Sequence, residues 1–238
     1  YSMIQRLMQR KNLKYLLPLV VGALVVLGFK WFGPEEEKEA VIFSLVRDAL
    51  TNVHLQPKEV GDALSEQVYE NYLNTLDYNK LFLTQNEVDQ LAGYKKELDN
   101  LFQLGDTRFF TLSYALITFS IDASKEIYTQ LLSEPFDYTL DERIGNNPES
   151  RTFARNNEEH VEFWRKHLKW RVLNRIYEKD RAQKEDAETD ETVELKSFET
   201  LEIKAREKSL EFQNECHEDL MDVLRLVWFG LYFNSYFH

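Results

Sequence analysis

Apolar residues recur at steps of three and four along most of the chain after residue 40. Such spacing places side chains on one face of an α-helix, which can then pack against other helices. Two of the clearest runs are Val60, Leu64, Val68, Tyr72 and Leu76, and later Val161, Trp164, Leu168, Val172 and Ile176. Gly and Pro, the residues that most weaken helices, number only 8 and 5 among 238. Because no pair of alternating segments suggests a hairpin, the sequence predicts an all-α fold.

Residues 1–33 have the layout of a segment that enters a membrane. A start with cations and no acids leads into an apolar stretch at 15–29, which the pair Trp31-Phe32 follows closely. Counted as 13–32, the segment has about 20 residues, which is enough to span a bilayer as a helix. No small-residue cleavage site follows it, and this favours an uncleaved transmembrane signal anchor. A cleaved signal peptide and a helix buried in a soluble domain are the alternatives.

The charge balance changes sharply after this segment. The chain has 29 Lys and Arg against 41 Asp and Glu. Five of the cations precede residue 34, so residues 34–238 carry 24 cations against 41 acids, a formal charge of −17. Cations before an apolar segment and glutamates directly after it predict a cytoplasmic N-terminus, with the main body across the membrane. So acidic a body is also expected to repel nucleic acid and anionic lipid headgroups.

Two long helices are predicted in the middle of the chain. Thr84 and Glu87 have the spacing of a capping box, in which each side chain accepts a hydrogen bond from the other residue's backbone. The helix that they begin is predicted to continue through residue 102 and to stop at Gly105. A second, aromatic-rich helix is predicted over 109–132.

Two stretches interrupt the helical pattern. Residues 134–156 contain turn formers such as Pro135 and Gly145, and they are predicted to form one long irregular loop. Residues 181–191 contain almost no apolar side chain, which indicates either a solvated helix end or an acidic linker. A last helix is predicted over 193–234.

No residue pattern in the chain identifies a catalytic, cofactor-binding or metal site. The nucleophile elbow G-x-S-x-G and the phosphate loop G-x-x-x-x-G-K do not occur in the sequence. His160 and His167 lie seven residues apart on one helix face, but without H-E-x-x-H spacing they are interpreted as solvated or partly buried. Cys216, the single cysteine, adjoins His217, and on a helix two neighbours point about 100° apart, which argues against a catalytic pair.

Three further features are interpreted as structural. Asp77 follows an apolar helix and is predicted to end it and to cap the next turn. An aromatic stripe is predicted to be helix-packing core, and it comprises Phe109, Phe110, Tyr114 and Phe119. Residues 224–237 are apolar on almost every side, and part of that segment is expected to lack a cover. Either a partner covers it, or the chain is the front portion of a longer polypeptide, which we favour.

Three segments have the form of a known set of motifs. Residues 72–91 match Y-L-x-x-L-D-x-x-x-x-x-L-x-x-x-D-V-x-x-F in outline, and residues 134–139, Glu-Pro-Phe-Asp-Tyr-Thr, are similar to E-K-P-M-D-F-T. Residues 156–164 are similar to a segment that begins N-E and ends at a Trp eight residues later. These motifs occur in this order near the start of the bacterial tail-specific proteases, the periplasmic C-terminal-processing serine peptidases. The chain resembles that region over roughly residues 40–238.

The resemblance implies that residues 34–238 form a helical N-terminal domain of such a protease. In the family this domain precedes a PDZ domain, which captures substrate C-termini, and a protease domain with a Ser–Lys dyad. Both are expected to be absent from these 238 residues, so no catalytic residue is carried over and no cofactor is implied. The implied location is the bacterial inner membrane, held by residues 13–32, with the main domain in the periplasm. The implied partners are the PDZ and protease domains, unfolded or C-terminally tagged periplasmic proteins, and an adaptor protein.

Two other functions are compatible with the sequence. A stand-alone membrane-anchored scaffold or adaptor would dock a partner through the apolar helix at 224–237. An uncharacterised helical enzyme would require an ordered metal or ligand near the 134–156 loop. Reading the gene past residue 238 separates the scaffold from the protease. A continuing frame with D-P-H-T, a PDZ-like stretch and a Ser–Lys pair supports the protease, and a stop codon supports the scaffold.

Overall fold

The computed structural model describes residues 39, 41–45, 47, 61–145, 147–190 and 192–236. Within these residues the secondary structure is helical, and the only β-type pairing is an isolated bridge between Thr84 and Ala154. The helices are α1 (Asp62–Leu76), α2 (Gln85–Ala92), α3 (Leu98–Leu104), α4 (Arg108–Ser133), α5 (Asn157–Thr189), α6 (Phe198–Asp222) and α7 (Arg225–Asn234), with one 3-10 turn at Pro148–Ser150. The prediction of an all-α body is confirmed for this part of the chain.

The chain forms two compact units, and the first comprises Tyr1–Glu59 with Asn100–Thr107. Residues 41–45 of this unit are helical, in agreement with the prediction of a helix there. The Phe43 ring lies 5.3 Å from the ring of Phe102, and Arg47 Nη1 donates to the carbonyl of Gln103 at 3.2 Å. The predicted anchor at 13–32 falls outside the described residues.

Gly105 ends α3, as the sequence predicted. Its φ of +70° is the left-handed conformation that glycine adopts without a steric cost. Its N–H donates to the carbonyl of Phe102 at 3.2 Å, and the next N–H, of Asp106, donates to that of Leu101 at 2.9 Å. This pair of hydrogen bonds is the Schellman arrangement that satisfies the last carbonyls of a helix.

The second unit comprises Val60–Asp99 with Arg108–His238, and α4, α5 and α6 pack together in it. The buried faces of these three helices meet in one cluster: Tyr128, Leu132, Phe136, Trp164, Leu168, Val172, Ile176, Leu201 and Ala205. Four of these side chains lie on α5 at the three- and four-residue steps that the sequence showed. The α5 helix is therefore held along one face, and its opposite face is free to meet solvent.

An aromatic cluster joins α1, the start of α4 and α7. Ring centroids lie 5.5 Å apart for Tyr72 and Phe109, 5.2 Å for Tyr72 and Tyr232, and 4.7 Å for Phe110 and Phe229. The Tyr72 hydroxyl also lies 2.8 Å from Ser113 Oγ, so the buried phenol has a hydrogen-bond partner. The segment 224–237 was expected to pack in part and otherwise to lack a cover, and the part that packs comprises its buried aromatic side chains: Trp228, Phe229, Tyr232, Phe233 and Tyr236.

A break before α7 accounts for that burial. The predicted final helix over 193–234 is interrupted at Val223 and Leu224, whose ψ angles of 119° and 136° are extended. The interruption turns the last apolar segment onto α1 and α4, where its rings leave water. Because neither residue is Gly or Pro, residue propensity does not mark the break. Leu224 and Val227 stay 68% and 54% exposed.

Two other boundaries differ from the prediction. The helix beginning at Thr84 does not continue through residue 102, because residues 93–97 form turns. In these turns backbone N–H groups donate to the carbonyl three residues earlier, instead of four as in an α-helix. The acidic linker predicted at 181–191 is instead helical through Thr189, so the helix-end interpretation is the correct one. Ion pairs one turn apart support that end, with Lys184 bonded to Asp180 at 2.6 Å.

Two further points concern exposed apolar surface. The aromatic stripe on α4 is core at Phe109 and Phe110, as predicted, but Phe119 is 72% exposed, so that part of the prediction is wrong. Residue 119 is nine positions beyond 110, which rotates it to the opposite side of the helix.

In the part of the chain that the structure describes, no helix is both long and apolar enough to cross a membrane.

Candidate functional site

The first motif of the 134–156 segment is built into the core. Phe136 lies in the three-helix cluster, and the Tyr138 hydroxyl donates to Glu202 Oε1 of α6 at 3.1 Å. Between them, the Asp137 carboxylate accepts from the backbone N–H of Thr139 at 2.9 Å and from its hydroxyl at 2.6 Å, which closes a tight turn. Phe198, at the start of α6, meets the Tyr138 ring edge-on at 5.4 Å. This motif fixes the segment to α6, and its Asp137 and Tyr138 side chains are both engaged in hydrogen bonds.

A carboxylate clamp fixes the middle of the segment to α5. Glu142 accepts hydrogen bonds from Arg165 and Lys169, and Arg165 Nε also donates to Glu162 at 2.7 Å. The Arg165 guanidinium, and next the Lys169 ammonium, lower the pKa of Glu142 to about 2. Since the Lys169 side chain is only 7% exposed, its charge depends on this carboxylate for compensation. The clamp is a structural ion cluster rather than an acid–base pair poised near neutral pH.

The end of the segment is fixed to the turn that follows α1. Lys80 Nζ donates to the carbonyl of Pro148 at 3.0 Å, and Arg151 Nη1 donates to the carbonyl of Asn79 at 3.1 Å. The N–H of Gln85 donates to the carbonyl of Ala154 at 2.8 Å. The irregular loop is therefore fixed at its start, middle and end. The side chains that make these contacts hold the loop in place rather than face a ligand.

Asp77 holds the turn that receives those contacts. Its carboxylate accepts from the backbone N–H groups of Leu81, Phe82 and Leu83, each at 2.9 Å. Burial raises the pKa of Asp77, and the three N–H donors act in the opposite direction. The predicted capping role is confirmed, and it is larger than a single cap because one side chain serves three amides.

Neither of the two α5 histidines is arranged as a metal ligand. His160 Nε2 lies 2.8 Å from the carbonyl oxygen of Leu81, so this ring is used to bind the Asp77 turn. His167 lies among aromatic rings, 6.2 Å from Phe163 and 6.5 Å from Trp170, and burial lowers its pKa to about 4. Across the residues described, no three His, Cys, Asp or Glu side chains gather in a way that could hold a metal ion.

Cys216 is not hydrogen-bonded to the adjacent His217, because neither ring nitrogen of His217 has a hydrogen-bond partner among the described residues. The His217 ring lies against Tyr128 of α4 at 6.5 Å, with Nε2 3.6 Å from Asp122 Oδ1. The thiol of Cys216 is influenced instead by Arg171 of α5, while burial raises its pKa. A raised pKa leaves less thiolate at neutral pH, which is opposite to what a nucleophilic cysteine requires.

The outward face of α5 carries an exposed aromatic surface that the sequence interpretation did not identify. We call it the α5 strip, and its members are Phe163, His167, Trp170, Leu173 and Tyr177. Trp170 is 43% exposed, Leu173 37% and Tyr177 66%. Phe163, Trp170 and Tyr177 recur at seven-residue steps, about 10.5 Å apart along the helix. This seven-residue repeat lies away from the core face of α5, and it was the sequence pattern from which the exposed surface could have been predicted.

One comparison with known families bears on these observations. The family model described as the tail-specific protease N-terminal domain matches residues 46–235. The match covers more than half of the chain and includes all three motif segments, whose side chains the structure uses for capping and packing. The chain therefore belongs to the tail-specific protease N-terminal domain family.

Proposed function

We propose that this chain is the non-catalytic helical domain of a membrane-anchored tail-specific serine protease, and that it delivers periplasmic substrates to the protease part. The observation that carries the proposal is the family match over residues 46–235, because the family implies a peptidase for the intact protein. The Ser–Lys dyad and the PDZ domain would lie in the other domains of the intact protease, as the family resemblance implies. The chain itself would contribute shape and binding surface rather than chemistry.

The contacts of the motif segments support a rigid, non-catalytic role. Asp77 is occupied by three backbone amides, and Glu142 is occupied by two cations. Burial raises the pKa of Cys216, and neither ring nitrogen of His217 has a hydrogen-bond partner in the part of the chain that the structure describes, so the two do not supply a nucleophile with a base. Residues that look like candidate acids and bases in the sequence are thus engaged in holding the loop to α5 and α6.

A deletion in the intact protease tests the delivery role. Residues 40–238 would be removed, and degradation would be measured with a long unfolded protein and with a short peptide that share the same C-terminal tag. We expect the long substrate to be degraded at least tenfold more slowly and the short peptide to be cleaved at the normal rate. Unchanged degradation of the long substrate would refute delivery. An equal loss for both substrates would assign the domain to folding of the enzyme instead.

The membrane anchor is tested separately. We propose that residues 13–32 hold the protein in the inner membrane with residues 34–238 in the periplasm, because cations precede the apolar segment and glutamates follow it. Carbonate extraction should leave the full-length protein in the membrane fraction, and an external protease should digest the main domain in spheroplasts. Release of the protein by carbonate would refute the anchor and favour a cleaved signal.

The scaffold alternative loses its main support. It required an apolar C-terminal helix that is available to a partner, but Phe229 and Tyr232 are both 0% exposed, and Trp228 is only 6% exposed. The enzyme alternative required an ordered site near 134–156, whose described contacts are to the chain's own residues. Neither alternative has a specific observation in its favour.

A further inference from the structure

The α5 strip is an exposed apolar surface of the second unit. The opposite face of the same helix is core, with Trp164 at 1% and Leu168 at 0% exposure. An amphipathic helix on a domain surface usually directs charged residues outward, whereas α5 directs Trp170, Leu173 and Tyr177 outward. Trp and Tyr are the residue types most enriched at binding hot spots.

The surroundings of the strip are not acidic, although the chain as a whole is strongly acidic. Arg151 lies over the Phe163 ring at 5.0 Å, and Arg171 also lies close to His167. Lys166 is paired with Glu162 at 3.5 Å, and Arg181 is paired with Glu185 at 3.5 Å. His167 is neutral at physiological pH, because burial lowers its pKa to about 4. A peptide with apolar side chains and no particular charge can therefore approach without strong repulsion.

The size of the strip limits what can occupy it. The exposed parts of Trp170, Leu173 and Tyr177 sum to roughly 300 Å², given that an aromatic side chain has about 150–250 Å² to bury. A stable protein–protein interface requires about 800 Å² from each partner. The strip is thus too small for a stable second copy of this chain, but it is large enough for two or three apolar side chains of one short segment.

From this size, chemistry and rigidity, we propose that the α5 strip binds short apolar segments of unfolded polypeptides, weakly and without sequence specificity. The inference rests on the proposed delivery function and names its substrate-binding surface. The strip lies on a helix of 33 residues that is packed along its other face, so the aromatic rings are presented on a rigid support. Weak binding suits delivery, because a substrate must leave the strip to be cleaved.

The test is peptide binding to the full 238-residue chain. The probe is a fluorescein-labelled 16-residue peptide of zero net charge with Leu or Phe at every third or fourth position, and its companion carries Ser at those positions. Fluorescence anisotropy should show binding of the apolar peptide only. The double variant Trp170→Ala/Tyr177→Ser should weaken this binding at least tenfold. The matched control Tyr78→Ser/Phe119→Ala removes two aromatic side chains that are 54% and 72% exposed elsewhere, and it should bind normally.

Four outcomes would overturn the inference. Equal binding by the strip variant and wild type would place the peptide elsewhere, and no binding by wild type would remove the activity. Sedimentation equilibrium that shows a dimer lost in the strip variant would make a second copy the occupant. A drop of several degrees in the melting temperature of the intact protease carrying the strip substitutions would show that its other domains cover the strip.

The same variants separate this inference from the proposed function. If the strip variant loses peptide binding but the intact protease still degrades long substrates at the normal rate, the binding site stands and delivery is refuted. If peptide binding is unchanged in the variant, the strip is refuted whatever the degradation rate. Melting temperatures of the isolated variants are measured alongside, because Trp170 is only 43% exposed and its removal costs some stability. The binding assay is run well below these temperatures, and any drop in the intact protease is judged against the drop in the isolated variant.

Discussion

Replacing Asp77 tests whether one buried carboxylate organises the turn between α1 and α2. In the native structure, Oδ2 accepts from the amides of Phe82 and Leu83, and Oδ1 accepts from that of Leu81. Asp77→Ala removes both acceptor oxygens, so all three amides lose their partner. Asp77→Asn keeps one carbonyl oxygen, which can occupy the Oδ2 position and still serve two of the three amides.

The expected magnitudes follow from the burial of the three amides. Leu83 is buried, so leaving its N–H without an acceptor costs about 2 kcal/mol of stability. Leu81 and Phe82 are half-buried, so their N–H groups can bond to water instead, and each loss costs about 0.5–1 kcal/mol. Release of a buried carboxylate offsets a small part of this loss. We expect Asp77→Ala to lower the free energy of unfolding by about 3 kcal/mol and Asp77→Asn by about 1 kcal/mol.

Urea unfolding followed by circular dichroism provides the measurement. With a slope near 2 kcal/mol per M for a domain of this size, the midpoint should fall by about 1.5 M for the alanine variant and by about 0.5 M for the asparagine variant. The order of the two variants matters more than either value. If asparagine is as destabilising as alanine, or if alanine costs less than about 1 kcal/mol, the three amides do not depend on Asp77 and the argument fails.

Two further predictions concern α5 and the loop that it holds. The pKa of Glu142 is lowered to about 2, so its contribution to stability is present above pH 4.5 and is lost as the pH falls toward 2. Glu142→Gln should therefore show a smaller fall in melting temperature between pH 5 and pH 3 than wild type. An identical fall in the two proteins would contradict the clamp. Leu168→Ala should cost about 3 kcal/mol in urea unfolding because Leu168 is fully buried, whereas Leu173→Ala, on the same helix and 37% exposed, should cost under about 1 kcal/mol. Similar losses for the two variants would mean that the core and outward faces of α5 are assigned incorrectly.

The parts of the fold that were predicted from the sequence are those set by local chemistry. The capping box at Thr84 forms with the N–H of Thr84 bonded to Glu87 Oε2 at 2.8 Å, and Gly105 takes the left-handed conformation that ends α3. Both depend on residues within a few positions of each other. The core positions of α5 were likewise visible, because the spacing of Trp164 and Leu168 follows the helical repeat.

The parts that were not predicted depend on contacts between distant residues. The break at Val223 and Leu224 leaves no local mark, because both residues are ordinary helix formers and the gain comes from burying Tyr232 against Tyr72. The same holds for the Glu142 clamp, whose partners lie 23 and 27 positions away in the sequence. Helical periodicity describes each segment by itself, and so it cannot show where a segment turns to meet another.

The α5 strip shows how one helix can carry two periodic signals with different meanings. Trp164, Leu168 and Val172 follow three- and four-residue steps and are buried, whereas Trp170 and Tyr177 follow a seven-residue step and are exposed. A single count of apolar residues merges the two sets and assigns both to the core. The packing of α4 and α6 against one side of α5 shows which of the two sets is core. An aromatic residue that remains exposed after the core face is satisfied is thus a candidate for binding. Trp170 and Tyr177 lie in a row on one rigid helix, whereas the exposed rings of Tyr78 and Phe119 lie on other elements.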